Sequence, residues 1–195
     1  EFRRVLFRSY GDKECIVART GYTGEKGYEI FLPLGVAEIF WNDLLNNNKE
    51  LNITPVGLGA RDTLRLESCY LLYGNDMDET VSPLEAGIGW AVKLEAKDFI
   101  GKEALVSQKQ VGLSRKLFAF EMIDQGIPRK EMHINFKGDP VGHVQSGSFL
   151  PSMNKAGGLA LLKSNLEVGS EIQIDIRGRS EEHTSELQSP CNLVC

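Results

Sequence analysis

Gly57 to Asp76 reads GLGARDTLRLESCYLLYGND, and the rest of the chain is best understood outward from it. A Gly-Leu-Gly turn opens the stretch, Arg61 and Arg65 follow one helical turn apart, and an apolar run ends at Tyr73-Gly74. Two arginines at i, i+4 repel each other on a helix face unless something anionic meets them. One reading is a surface helix in which Asp62 and Glu67 offset the charge. The other is a preset site for an anion or a carboxylate. Spacing alone favours the first and leaves both open.

The surroundings bound the answer. The chain has 195 residues, 42% hydrophobic and 25% charged, enough for one large or two small globular domains. A formal net charge of -5 argues against a general nucleic-acid surface, which needs clustered Lys and Arg. No apolar run approaches the length of a membrane span.

Both ends carry an unusual signature. Glu1–Ser9 (EFRRVLFRS) can be encoded by a DNA whose reverse complement, read in frame, encodes RSEEHTSEL, the string at Arg179–Leu187. Unbroken complementarity of that kind is not expected of two natural protein segments, and the DNA resembles a common sequencing-library adapter. The expectation is that 1–9 and 179–195 are non-native adapter translation, to be set aside in reading the fold. The natural insert is then Tyr10–Gly178. Setting the ends aside removes Cys191, Cys195 and His183, and equal numbers of acids and bases, so the charge of -5 stands. Cys15 and Cys69 remain, at a spacing that fits no metal or redox motif.

Within the insert, Glu14–Arg19 (ECIVAR) and Tyr28–Leu32 (YEIFL) predict two strands around Thr20–Gly27, a loop with glycine at every third position. Glu29 points to the opposite face from Tyr28 and Ile30. It is either an ordinary exposed strand carboxylate or a hold on a polar heterocycle. The GxxGxxG pattern lacks the Lys-Ser/Thr of a phosphate loop and is not the GxGxxG of dinucleotide sites, which excludes both. Val36–Asn47 predicts an amphipathic helix with Val36, Ile39, Phe40 and Leu44 as a core-facing stripe. Gly87–Leu94 (GIGWAVKL) predicts a strand, Ile100–Leu105 the start of a short helix, and Gln108–Ser114 a linker.

From Arg115 the texture changes. Leu117–Met122, His133–Phe136, His143–Phe149, Leu159–Leu162 and Glu171–Ile176 alternate with turn residues such as Lys137-Gly138-Asp139-Pro140, which predicts a small all-β barrel or sandwich. The expected organisation is an α+β part, 10–111, followed by an all-β domain, 112–178. His133 and His143, with the cysteines remote, make no metal constellation, and Ser146-Gly147 lacks a G-x-S-x-G frame. What is left is Tyr22, Glu29, Arg61 and Arg65, with Arg129 on the β part: a set suited to a polar, anionic small molecule with a heterocyclic body.

Several long strings carry a family resemblance. RTGYTGEKGYEIFLP at Arg19–Pro33, PVGLGARDTLRLESCYLLYGNDMDE at Pro55–Glu79, SPLEAGIGWAVKL at Ser82–Leu94 and DFIGKEAL at Asp98–Leu105 resemble the T-protein of the glycine cleavage system, the tetrahydrofolate-dependent aminomethyltransferases. GIPR at Gly126–Arg129 and VGHVQSGSFLPSMNK at Val141–Lys155 resemble that family's C-terminal barrel. The resemblance implies an α+β folate-binding part followed by a small all-β barrel domain. It also implies transfer of an aminomethyl carbon from the lipoyl-bearing H-protein to tetrahydrofolate, with release of ammonia, in glycine catabolism. By position it makes Glu29 and Arg61 folate-binding residues and Tyr22 a wall of the same pocket, and leaves Arg65 structural.

The resemblance also marks departures. The family's catalytic aspartate lies in an N-terminal part that this chain does not contain, so no catalytic residue is expected here, and a fragment inactive by itself. Gln145 and Leu150 stand where the family usually has Thr and Ser. No metal, nucleic acid or membrane is implied, and the compartment is the bacterial cytoplasm, or the mitochondrial matrix in a eukaryote. A folate module of a dimethylglycine- or sarcosine-type demethylating dehydrogenase shares these motifs and is the alternative. A folate-binding relative in iron–sulfur maintenance carries a Lys-Gly-Cys-Tyr-type motif that this sequence lacks.

Overall fold

A computed structural model describes residues 5–176 and 182–188. The chain divides into two compact units, Glu1–Leu64 and Arg65–Cys195.

The first unit opens with a meander of antiparallel strands, β1 (Val5–Tyr10), β2 (Lys13–Ala18) and β3 (Glu29–Phe31), in the order β1-β2-β3. β1 and β2 pair from Val5↔Ala18 to Tyr10↔Lys13, and Gly11, with φ +61, makes the turn that a side chain would resist. The two strands expected around the glycine loop are β2 and β3. Helix α1 (Leu34–Asn46) follows, starting two residues earlier than its apolar pattern suggests, with Pro33 at its N-cap. Its expected core-facing stripe is a correction. No residue of α1 is buried; Val36, Phe40 and Leu44 are half-buried and Ile39 is exposed. Phe40 does meet Tyr10 edge-on, ring centroids 5.1 Å apart, and the Tyr10 hydroxyl donates to Asp43 at 2.9 Å.

Helix α2 (Leu58–Glu67) contains both arginines of the organising stretch, Arg61 before the division between the units and Arg65 after it. Beyond it, Gly87–Leu94 is not a strand. The backbone coils through Ile88 N–H to Pro83 C=O (3.0 Å), Ala91 N–H to Ile88 C=O (3.0 Å) and Val92 N–H to Gly89 C=O (3.0 Å), enclosing a 3₁₀ turn at Gly89–Ala91. Gly87 has φ +77, and a Cβ on Gly89 would come within 2.9 Å of the Leu84 side chain. An apolar string with two such glycines satisfies a strand pattern, yet the backbone turns here. Helix α3 (Lys102–Val111) takes in the first half of the expected linker and ends at Gly112, whose φ of +94 stops it.

The all-β part is a closed antiparallel barrel in the order β4-β7-β6-β5-β8-β9. Its strands are β4 (Arg115–Met122), β5 (His133–Phe136), β6 (Asp139–Leu150), β7 (Lys155–Lys163), β8 (Glu171–Asp175) and β9 (Glu182–Gln188). β5 and β6 form a hairpin closed by Lys137-Gly138, with φ of +54 and +86, the two left-handed residues that a tight turn of matching twist requires. Period two explains the packing. Phe118, Phe120, Ile134, Val144, Leu162 and Ile174 point inward and fill the barrel. Leu117, Ala119, Leu159 and Leu161 point outward, yet are as deeply buried, because Leu66, Val81 and Ala86 cover them. That cover explains why the compact unit begins at Arg65 although the barrel itself begins at Arg115. Complete burial of a side chain such as Phe120 is worth about 1.5–3 kcal/mol.

Gly158 answers to another constraint. The β6–β7 register shifts between Val144 and Ser146, and a Cβ on Gly158 would overlap the Ser146 carbonyl oxygen. Both segments read as foreign contain strands: Val5–Ser9 lie in β1, and β9 sits between β4 and β8, with Ser185 and Leu187 fully buried.

Candidate functional site

The residues singled out in the first unit form two couples. The Arg61 guanidinium carbon lies 4.5 Å from the centroid of the Tyr22 ring, a cation–π contact that sets the planar fork on an aromatic face. Arg61 stands in the first turn of α2, where its own N–H bonds the Gly57 carbonyl at 3.2 Å. Tyr22 is held half-buried in the glycine-rich loop. The second couple is Glu29 and Thr20, whose hydroxyl donates to the Glu29 carboxylate. Glu29 opens β3 opposite Ala18 and is exposed to solvent. A Cβ placed on Gly21, between Thr20 and Tyr22, would meet nothing within 4 Å.

Chemically the couples are complementary. A carboxylate accepts hydrogen bonds only, and two oxygens in one plane match an N–H beside an amino group on a heterocycle. A guanidinium donates only, in a planar fork that suits a carboxylate or a ring carbonyl.

Arg65 has a different surrounding. It is 1% exposed, and its guanidinium donates to Asp76 Oδ2 at 2.6 Å, to the Tyr70 carbonyl at 3.2 Å and to Ser146 Oγ at 3.0 Å. The surface-helix alternative therefore fails for this residue. Asp76 is its ion-pair partner at 2.6 Å, and its work is structural. Arg129 donates to the Gly147 carbonyl at 3.2 Å on the barrel.

The second unit also contains two cavities that the sequence did not suggest. One of about 730 Å³ is lined by Cys69, Tyr70, Leu71, Met77 and Leu117. The other, of about 830 Å³, is lined by Val92, Lys93, Leu94 and Lys109. The exposed indole of Trp90 belongs to both walls. The available signal was a large aromatic directly after Gly87-Ile88-Gly89, where reading a strand hid a turn that presents it. Beside these cavities Glu85 is buried: burial pushes its carboxyl up, but hydrogen bonds from Arg115 and Ser82 outweigh that and hold it below the ordinary glutamate value. Among the described residues no three His, Cys, Asp or Glu side chains cluster as a metal site. His133 and His143 face each other across β5 and β6 as a pair only.

Comparison with known proteins decides the family. Residues 1–96 match the GCVT N-terminal domain, and residues 115–190 match the glycine cleavage T-protein C-terminal barrel domain. The chain belongs to the glycine cleavage T-protein family. A Clostridium botulinum (strain Okra) aminomethyltransferase is 50% identical over 167 residues, covering 85% of this chain and 45% of that protein. The Caldanaerobacter subterraneus aminomethyltransferase is 47% identical over 186 residues, 92% of this chain and 50% of its own. The crystal structure of the glycine cleavage system aminomethyltransferase T from Bartonella henselae superposes with a TM-score of 0.83 at 31% identity, over 90% of this chain and 48% of that one. The chain thus spans about half the length of the T-protein relatives it matches, and it has their fold: an α+β part, then a closed barrel. Nothing in these relatives favours the demethylating-dehydrogenase alternative.

Proposed function

We propose that this chain is the folate-handling portion of an aminomethyltransferase, the enzyme that passes an aminomethyl carbon from a lipoyl-bearing H-protein to tetrahydrofolate with release of ammonia. The observation that carries the reading is the Arg61–Tyr22 stack, formed between the GARD and GYTGE strings that resemble the family's. Glu29 accepts from the pterin ring N–H and its amino group, Arg61 donates to the polar edge of the ligand, and Tyr22 supplies the aromatic wall. Thr20 orients the Glu29 carboxylate. Arg65 acts in packing and does not touch the ligand.

Transfer also needs an acid–base group where the carbon changes partner. In this reading the Arg61 guanidinium and a Glu29 carboxylate engaged with the pterin are both committed to binding and do not supply that group. The reading expects the chain by itself to bind folate without turnover. The quoted relatives are bacterial, and the cytoplasm is the compartment we propose. The experiment is an ammonia-release assay with aminomethyl-loaded H-protein and tetrahydrofolate, run beside a titration of the chain with tetrahydrofolate. The reading expects saturable binding and ammonia release at the uncatalysed rate. Absence of binding contradicts the folate assignment, and release by the chain alone contradicts the missing acid–base group.

A further inference from the structure

The turn at Gly89–Ala91 presents Trp90 with its indole 78% exposed, and among the described residues that ring meets no other aromatic ring and no cation. A lone exposed aromatic is ordinary. Here it stands between two cavities of the second unit, and Leu84, Gly87 and Leu113 line both with it, so that they are lobes of one groove. The lobe of about 730 Å³ has Leu71, Met77, Ile88 and Leu117 in its wall and one cation, Lys116. The lobe of about 830 Å³ has two cations, Lys93 and Lys109. None of the three lysines makes an ion pair among the described residues. The neighbouring acids do not offset them: Glu85 is committed to Arg115 and the Ser82 N–H, and Glu95, on the wall of the larger lobe, pairs with neither of its lysines.

We propose that this groove binds a small aromatic carboxylate, with its ring against Trp90 in the apolar lobe and its anionic group on Lys93 and Lys109. An aromatic ring packs favourably on the open face of an indole. Mostly apolar walls of this volume with a few convergent polar groups are the form that small-molecule sites take. Ammonium groups only donate, so they select an anion. A peptide strand fits less well, because the N–H groups of Ala91 and Val92 are spent inside the turn and offer no ladder. An anionic lipid surface is disfavoured by the net charge of -5. The groove is built from residues of the second unit alone, whereas Glu29 and Arg61 belong to the first, so the proposal stands whether or not the folate reading does.

The test uses the full chain with Trp41→Phe, which leaves Trp90 as the remaining one of its two tryptophans. Anilinonaphthalene sulfonate serves as the anionic aromatic probe, read by energy transfer from Trp90, with light scattering alongside. The expected result is saturation at one probe per monomer, and displacement by naphthoate at least about tenfold tighter than by uncharged naphthylmethanol. Lys93→Gln with Lys109→Gln removes that preference and leaves naphthylmethanol unchanged, whereas Val168→Lys, exposed elsewhere on the same unit, alters neither. Trp90→Ala, followed through the probe's own emission, weakens probe binding at least about tenfold, with the urea midpoint of each variant unchanged. Four outcomes overturn the proposal. They are equal displacement by naphthoate and naphthylmethanol, a preference for naphthoate that survives the lysine substitutions, a homodimer that shields Trp90 without probe, and loss of tetrahydrofolate binding in Trp90→Ala, which would make the groove part of the folate site.

Discussion

Arg65 and Asp76 form an ion pair 2.6 Å long in which neither side chain is more than 1% exposed. Oδ2 of Asp76 also accepts from the Leu72 N–H at 2.8 Å, while Oδ1 is buried with no hydrogen-bond partner. The pair joins the end of α2 to the loop after it, and through Ser146 to the barrel. Asp76→Ala takes the buried carboxylate away from the buried Arg65 guanidinium and costs about 3–5 kcal/mol in urea unfolding, whereas Arg65→Met combined with Asp76→Leu costs much less. Equal losses from the single and the double substitution would mean that the charges themselves are immaterial.

Glu85 makes the stability of the second unit depend on acid. Its carboxyl is held below the ordinary 4.5, so the charged form is favoured by folding. The stabilisation is complete above that value and is lost as the pH falls through the lowered folded value. Glu85→Gln therefore flattens acid unfolding below pH 4.5 and leaves the slope between pH 6 and 8, where Glu85 does not titrate, unchanged (about zero contribution there). An unaltered acid limb contradicts the role given to the Arg115 contact at 2.8 Å.

β9 closes the barrel through Leu187, whose side chain is fully buried in the inner cluster. Leu187→Ala is expected to cost about 2–5 kcal/mol in thermal unfolding. A loss below about 0.5 kcal/mol, the scale of a surface substitution, would show that Glu182–Gln188 does not occupy the gap between β4 and β8. Sequencing the source gene across 1–9 and 179–195 tests separately whether those segments are translated adapter; ordinary coding sequence running through both junctions refutes it.

Gly158 is fixed by the bulge opposite it. Gly158→Ala drives a methyl into the Ser146 carbonyl and costs about 3 kcal/mol, while Gly169→Ala, in an open turn with φ +86, costs about 1 kcal/mol through backbone strain alone. Urea midpoints of the two variants should differ accordingly. If the order reverses, the β6–β7 register given above is wrong.

The barrel was legible because its strands obey period two and are separated by real turn residues: His133–Phe136 is β5, and Leu117–Met122 and Glu171–Ile176 fall on β4 and β8 within two residues. GIGWAVKL misled because hydrophobicity does not encode extension; two glycines and a Leu84 contact made it a turn. Arg65 was read as structural, but its burial was not legible, since Asp76 lies beyond the helix and Ser146 lies far along the chain. The α1 stripe was correctly periodic; periodicity shows which face is apolar and not whether anything covers it. For the candidate site, residue chemistry suggested a polar, anionic ligand, and the long motif strings named its class. The contact between Tyr22 and Arg61 is set by tertiary structure, which no local pattern in the sequence expresses.

The central claim is that Glu29 reads the pterin through its ring N–H and amino group. Isothermal titration of the full chain and of Glu29→Gln, each with tetrahydrofolate and with an analogue lacking the 2-amino group, tests it most directly. The account expects the parent to bind tetrahydrofolate at least about tenfold tighter than the analogue, and Glu29→Gln to lose most of that preference. Equal preference in parent and variant contradicts it.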